Sequence, residues 1–86
     1  MLREIPAARR VLGEGNRHTL NLRLCYAKAL YRADDATFDD LREAVTTGEE
    51  IERIARRVLG GAHPLTSVIE RHLRDARDAL YARGLP

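Results

Sequence analysis

The chain has no tryptophan, one phenylalanine and one cysteine among its 86 residues. Each shortage excludes something. Aromatic residues make up only 5% of the composition, so the 44% that is hydrophobic must fill a core with Leu, Ile, Val and Ala, a mixture that helix packing tolerates well. A lone Cys25 has no partner for a disulfide within the chain, which fits a reducing compartment and sets the expectation of a cytoplasmic protein. Long hydrophobic runs are missing too: no stretch of about 18 apolar residues exists to cross a membrane. Arg3 and Glu4 close to Pro6 do not make the apolar segment of a secretory signal. Nor is there an excess of one charge. Fifteen Lys+Arg against 13 Asp+Glu leave a formal charge of +2, too small an imbalance to argue by itself for phosphate binding. A chain this short is one domain of modest stability.

What is present is a repeat. Arg9-Arg10-Val11-Leu12-Gly13 returns as Arg56-Arg57-Val58-Leu59-Gly60, and Thr19 returns as Thr66, each 47 positions on. A period of that size marks stacked helical hairpins, in which a unit cannot bury its apolar face alone and its neighbours complete the core. The pattern predicts an all-α chain of four helices, at residues 5–12, 17–32, 37–59 and 64–83, with antiparallel neighbours joined by short turns. Asn16 or Thr19 is placed to cap the second helix, and Asp35 or Thr37 the third. His63-Pro64 starts the fourth, because proline at the first turn lacks only a donor that would have had no partner.

In the helix over 17–32, Leu20, Leu24, Ala27 and Tyr31 form one line, with Leu22, Cys25, Ala29 and Leu30 beside it. So wide an apolar face implies neighbours on two sides and puts Cys25 in the core. The long helix keeps its phase through Phe38, Leu41, Val45, Gly48, Ala55 and Val58, although glycine there costs about 1 kcal/mol relative to Ala. Glu49 with Arg53, Glu52 with Arg56, and Glu70 with Arg74 are spaced for helical ion pairs worth about 0.2–0.5 kcal/mol each. Leu65, Val68, Ile69, Leu73, Ala76 and Leu80 give the last helix a single stripe.

The pattern carries no catalytic or metal-binding motif. His18, His63, His72 and Cys25 are zinc-type ligands, yet no two have a ligand-pair spacing on one helix. Thr46, Thr47 and Ser67 lack a nucleophile elbow or phosphate loop around them. Asp34, Asp35, Asp39 and Asp40 do not follow the order of a calcium loop. No cofactor, no metal and no enzymatic activity are therefore expected. The arginines Arg71, Arg74 and Arg77, with Arg9-Arg10 and Arg56-Arg57, either bind an anionic partner through their forks or offset helix dipoles.

Gly60-Gly61-Ala62-His63-Pro64-Leu65-Thr66 resembles the Gly-x-x-His-Pro-x-Thr junction of kinesin-light-chain-type tetratricopeptide repeats. There a long B helix ending in Val-Leu-Gly hands over to the A helix of the next repeat. Gly13 to Leu20 looks like a degraded copy. The resemblance covers about residues 7 to 83 and implies a right-handed superhelix fragment. The chain would open inside a B helix, complete one A–B pair and close after an A helix. It would then be an excerpt of an array, a compact bundle, or one of two chains pairing as a homodimer through exposed repeat ends. Two departures stand out. The period of 47 exceeds the family's unit of about 42 residues, and Leu24-Cys25 and Arg71-His72 stand where the family places an Asn pair that holds peptide backbone. The resemblance implies a protein–protein interaction module that takes a partner's peptide or helix between its A helices, and the arginine forks suit an acidic one. Asn21, Lys28, Arg71 and Arg74, on the polar sides of those helices, are the expected contacts. The alternative is a small Arg-rich nucleic-acid-binding or regulatory bundle, which the joint lengths and low net charge disfavour.

Overall fold

The computed structural model describes residues 16–84, and within them the chain is helical, with no strand. Three helices follow one another: α1 (Arg17–Arg32), α2 (Phe38–Val58) and α3 (Pro64–Gly84). The helix expected over 5–12, and with it the first Arg-Arg-Val-Leu-Gly copy, lies outside the described residues. The fold is thus all-α with three helices among the described residues.

Each start has a local cause. Asn16, in extended backbone, accepts the His18 N–H on its side-chain oxygen at 2.8 Å, so Asn16 and not Thr19 caps α1. Thr37 caps α2 through a reciprocal box. Its hydroxyl accepts from the Asp40 N–H at 3.1 Å, and the Asp40 carboxylate accepts from the Thr37 N–H at 3.0 Å. Such a cap is worth about 1 kcal/mol. Asp39 and Asp40 in the first turn and Arg56 and Arg57 in the last complement the α2 dipole.

The α2–α3 junction explains its own sequence. Leu59 and Gly60 both donate to the Ala55 carbonyl, at 2.7 and 3.1 Å. Closing the helix this way needs the positive φ of 94° at Gly60, which glycine adopts without strain. The Gly60 carbonyl then accepts from the His63 N–H at 3.2 Å and from the Thr66 hydroxyl at 2.9 Å. His63 Nδ1 accepts the Leu65 N–H at 3.0 Å. Gly60, His63, Pro64 and Thr66 are four parts of one turn.

α2 packs along both other helices, and α1 and α3 meet over a shorter stretch. Leu20 and Leu24 of α1, Ile51 and Ala55 of α2, and Ile69 of α3 form the main core. A second cluster is made of alanines, Ala27, Ala44 and Ala76, whose small side chains let three backbones approach. Gly48 belongs to that close approach. It is buried, and a Cβ there would sit 2.9 Å from Leu73 Cδ1. The helix runs through it unbroken.

Three expectations are corrected. Cys25 is exposed, as is Ala29, while Leu22 is only half-buried, because α2 and α3 both pack on the opposite half of α1. Val58 is 52% exposed, since it lies at the end of α2. Among the in-helix ion pairs, Glu52–Arg56 forms at 2.8 Å. Glu49 instead reaches Arg77 at 3.0 Å, and Glu70 reaches Arg56, because α2 and α3 lie close enough alongside each other for each to present a cation to the other's carboxylate.

α1 and α3 bury different faces relative to their caps. Counted at the 47-residue period, the buried Thr66, Ile69, His72, Leu73 and Ala76 of α3 correspond to Thr19, Leu22, Cys25, Tyr26 and Ala29 of α1. Apart from Thr19, these are the α1 residues that α2 and α3 leave exposed or half-buried. Conversely, the buried Leu20, Arg23, Leu24 and Ala27 of α1 correspond to Ser67, Glu70, Arg71 and Arg74 of α3. α1 therefore carries two apolar faces, whereas the α3 positions that match the buried face of α1 are Ser67, Glu70, Arg71 and Arg74, polar or charged.

Candidate functional site

One polar pair of side chains joins α1 to α3: the Tyr31 hydroxyl meets His72 Nδ1 at 2.5 Å, with the rings tilted by 50° and their centroids 6.1 Å apart. Helical spacing delivers both. Tyr31 continues the line Leu20, Leu24, Ala27 at its α3-facing edge, and His72 stands between Ile69 and Ala76 on the buried stripe of α3. His72 is only 6% exposed, so its polar ring is a paid-for exception to an apolar stripe that the Tyr31 hydroxyl satisfies.

Lys28 and Arg32 of α1, one helical turn apart, and Arg71 of α3, next to His72 in the chain, carry the charges that act on this pair. The Arg32 guanidinium carbon lies 5.8 Å from the centroid of the Tyr31 ring, within reach of a cation–π attraction. Burial lowers the His72 pKa from its ordinary value, and the charges of Lys28, Arg32 and Arg71 lower it further, with Asp75 alone opposing them. Burial also raises the Tyr31 pKa. Both groups are therefore neutral near neutral pH, and the cations define the field. None of Lys28, Arg32 and Arg71 has an ion-pair partner among the described residues, whereas Arg23, Arg56 and Arg77 do.

The four expected contact residues divide. Lys28 and Arg71 both bring their charge to bear on His72, and Asn21, exposed, lies two turns before Lys28 on the same side of α1. Arg74 does not join them. It lines a pocket on the α2 side of α3 with Glu52, Glu70, Leu73 and Arg77, where Arg56 and Arg77 already pair with glutamates. Arg32, Tyr31, His72 and Asp75 were missed as members of the site. The available signal was His72, a polar residue in phase with a buried stripe.

Elsewhere the zinc-type residues are scattered. His63 caps α3, Cys25 is exposed, and no group of three His, Cys, Asp or Glu side chains gathers among the described residues. Tyr26 donates its hydroxyl to the Glu43 carboxylate. That bond, with burial adding to it, pushes its pKa up to about 12, which makes it an interhelical tie. No helix among the described residues is long and apolar enough to cross a membrane. No family model matches the chain, and no curated protein or solved structure is found to be similar to it.

Proposed function

We propose that this chain is a protein–protein interaction module of tetratricopeptide-like build, related to the kinesin-light-chain type, which takes an acidic peptide or helix of a partner in the groove between α1 and α3. One observation carries the reading: Lys28, Arg32 and Arg71, whose charges reach His72 at the α1–α3 contact, have no ion-pair partners among the described residues. Cations left uncompensated on a surface attract and orient an anionic partner more than they stabilise the fold. The repeat-like build is supported by the second apolar face of α1, which matches the buried face of α3 at the 47-residue period.

The test is a titration with a fluorescent Glu-rich peptide. Lys28→Ala with Arg71→Ala is expected to weaken binding at least tenfold, while Arg74→Ala, on the other side of α3, leaves it unchanged. Equal loss from Arg74→Ala, or no loss from the double variant, would overturn the placement. Duplex DNA in the same assay addresses the nucleic-acid alternative, because phosphate neutralisation predicts a steep fall in affinity with salt.

A further inference from the structure

α1 carries a second apolar stripe, on the side away from its packed face. Leu22, Cys25, Tyr26 and Ala29 recur at i, i+3, i+4 and i+7, the spacing of a helix face that packs on a neighbour. Among the described residues nothing buries it: Cys25 and Ala29 are exposed, and Leu22 and Tyr26 are half-buried. The stripe has a covered counterpart. At the 47-residue period its positions correspond to Ile69, His72, Leu73 and Ala76 of α3, all buried. α2 supplies much of that cover. Ile69 shares the main core with Ile51 and Ala55, Leu59 packs against the same cluster, and Leu73 stands against Gly48.

The chain holds a second copy of the α2 end that does this. Ala55-Arg56-Arg57-Val58-Leu59-Gly60 repeats Ala8-Arg9-Arg10-Val11-Leu12-Gly13 residue for residue. Four residues separate Leu12 from Arg17, where α1 begins, as four separate Leu59 from Pro64, where α3 begins. The reversal that lays α2 on α3 is thus written again ahead of α1, with Gly13 at the position where Gly60 takes its positive φ. Ala8 and Leu12 match Ala55 and Leu59, and Leu22 matches Ile69.

We propose that residues 5–12 of the same chain dock on this outer face of α1, with Ala8 and Leu12 against Leu22 as Ala55 and Leu59 join Ile69 in the core. Tethering favours this occupant over a second copy. A segment joined by so short a linker competes at an effective concentration of about millimolar, whereas one stripe on one helix falls well short of the roughly 800 Å² per partner of a stable interface. Nor does α2 of another copy fit, since it already packs along both α1 and α3.

Methyl NOE spectra of the full chain decide the matter, recorded on uniformly labelled protein and on an equal mixture of labelled and unlabelled chains. Contacts from the Ala8 and Leu12 methyls to those of Leu22 are expected in the uniform sample, and none between chains in the mixture. Leu12→Asp and Leu22→Asp should each lower the melting midpoint by about 4–8 °C. Leu22 lies on the side of α1 away from the core, so Leu22→Asp leaves the three-helix packing in place. The double variant should melt no lower than the worse single one, because both changes break one contact. Absence of the Leu22 contacts would overturn the docking. Contacts that cross between chains would give the face to a second copy and overturn it too. Melting losses that add would show that Leu12 and Leu22 act apart, which overturns their pairing.

Discussion

The Tyr31 hydroxyl and His72 Nδ1 meet at 2.5 Å across the boundary between α1 and α3, joining residues 41 positions apart. Because burial, and then Lys28, Arg32 and Arg71, lower the His72 pKa, with only Asp75 opposing, the unfolded chain takes up this proton more readily than the folded one. The contribution to stability is complete above the unfolded value of about 6.5 and is lost as pH falls from there through the lower folded value. Urea unfolding between pH 8 and pH 5 should show stability falling on the acid side. His72→Asn, which keeps an acceptor for Tyr31 and cannot titrate, should flatten that fall. An unchanged pH profile in His72→Asn would show that another group carries it.

Thr19 and Thr66 are sequence twins, both fully buried, yet only one of them is bonded. The Thr66 hydroxyl donates to the Gly60 carbonyl at 2.9 Å, and Thr19 Oγ1 has no partner among the described residues. Thr66→Val should therefore cost about 1–2 kcal/mol, a lost bond plus a strained turn, whereas Thr19→Val removes an unsatisfied hydroxyl and should be neutral or stabilising by a few tenths of a kcal/mol. Thermal melts of the two variants separate these outcomes. Equal costs would mean that the Thr19 hydroxyl is bonded in solution.

Gly48 marks where α2 and α3 come closest. Alanine there gains helix propensity of about 1 kcal/mol, but its Cβ would meet Leu73 Cδ1 at 2.9 Å, and the methyl can swing away. Gly48→Ala should thus lie within about 1 kcal/mol of the parent, and Gly48→Leu should cost about 1–3 kcal/mol by overpacking. In a Leu73→Ala background the Gly48→Leu cost should shrink, since the two side chains compete for one space. Chemical denaturation of the four proteins gives the coupling directly.

The helices were legible because their signals are local. Asn16 and Thr37 cap, Pro64 opens, Gly60 closes, and apolar residues recur at helical spacing. What was not legible is which apolar face meets which neighbour. Leu22, Cys25 and Ala29 look as apolar in sequence as Leu20, Leu24 and Ala27, and only the packing of α2 and α3 on one half of α1 separates them. The site was half legible for the same reason. Lys28 and Arg71 lie on polar sides and both act on His72. Arg74 is as polar but three residues on, which turns it to the α2 side. The ion pairs followed suit: four-residue spacing identified Glu52–Arg56, whereas Glu49–Arg77 depends on the distance between helices.

Two glutamates adjacent in sequence make interhelical ion pairs of different value. Glu50 pairs with Arg23, whose side chain is only 7% exposed, and Glu49 pairs with Arg77, whose side chain is 53% exposed. An exposed pair gains little, because water screens it and ordering two long side chains offsets the attraction. A guanidinium held in the α1–α2 interface cannot turn to water as readily, so removing its partner leaves a charge poorly solvated. Glu49→Ala should change stability by less than about 0.5 kcal/mol. Glu50→Ala should cost about 1–2 kcal/mol, below the full penalty for a buried pair because Glu50 itself is half-exposed. Arg23→Met, which keeps the length of the side chain without its charge, should then make Glu50→Ala nearly silent. Urea midpoints of the single and double variants would show this, and a Glu50→Ala cost that persists beside Arg23→Met would mean that Glu50 stabilises the fold by some contact other than this pair.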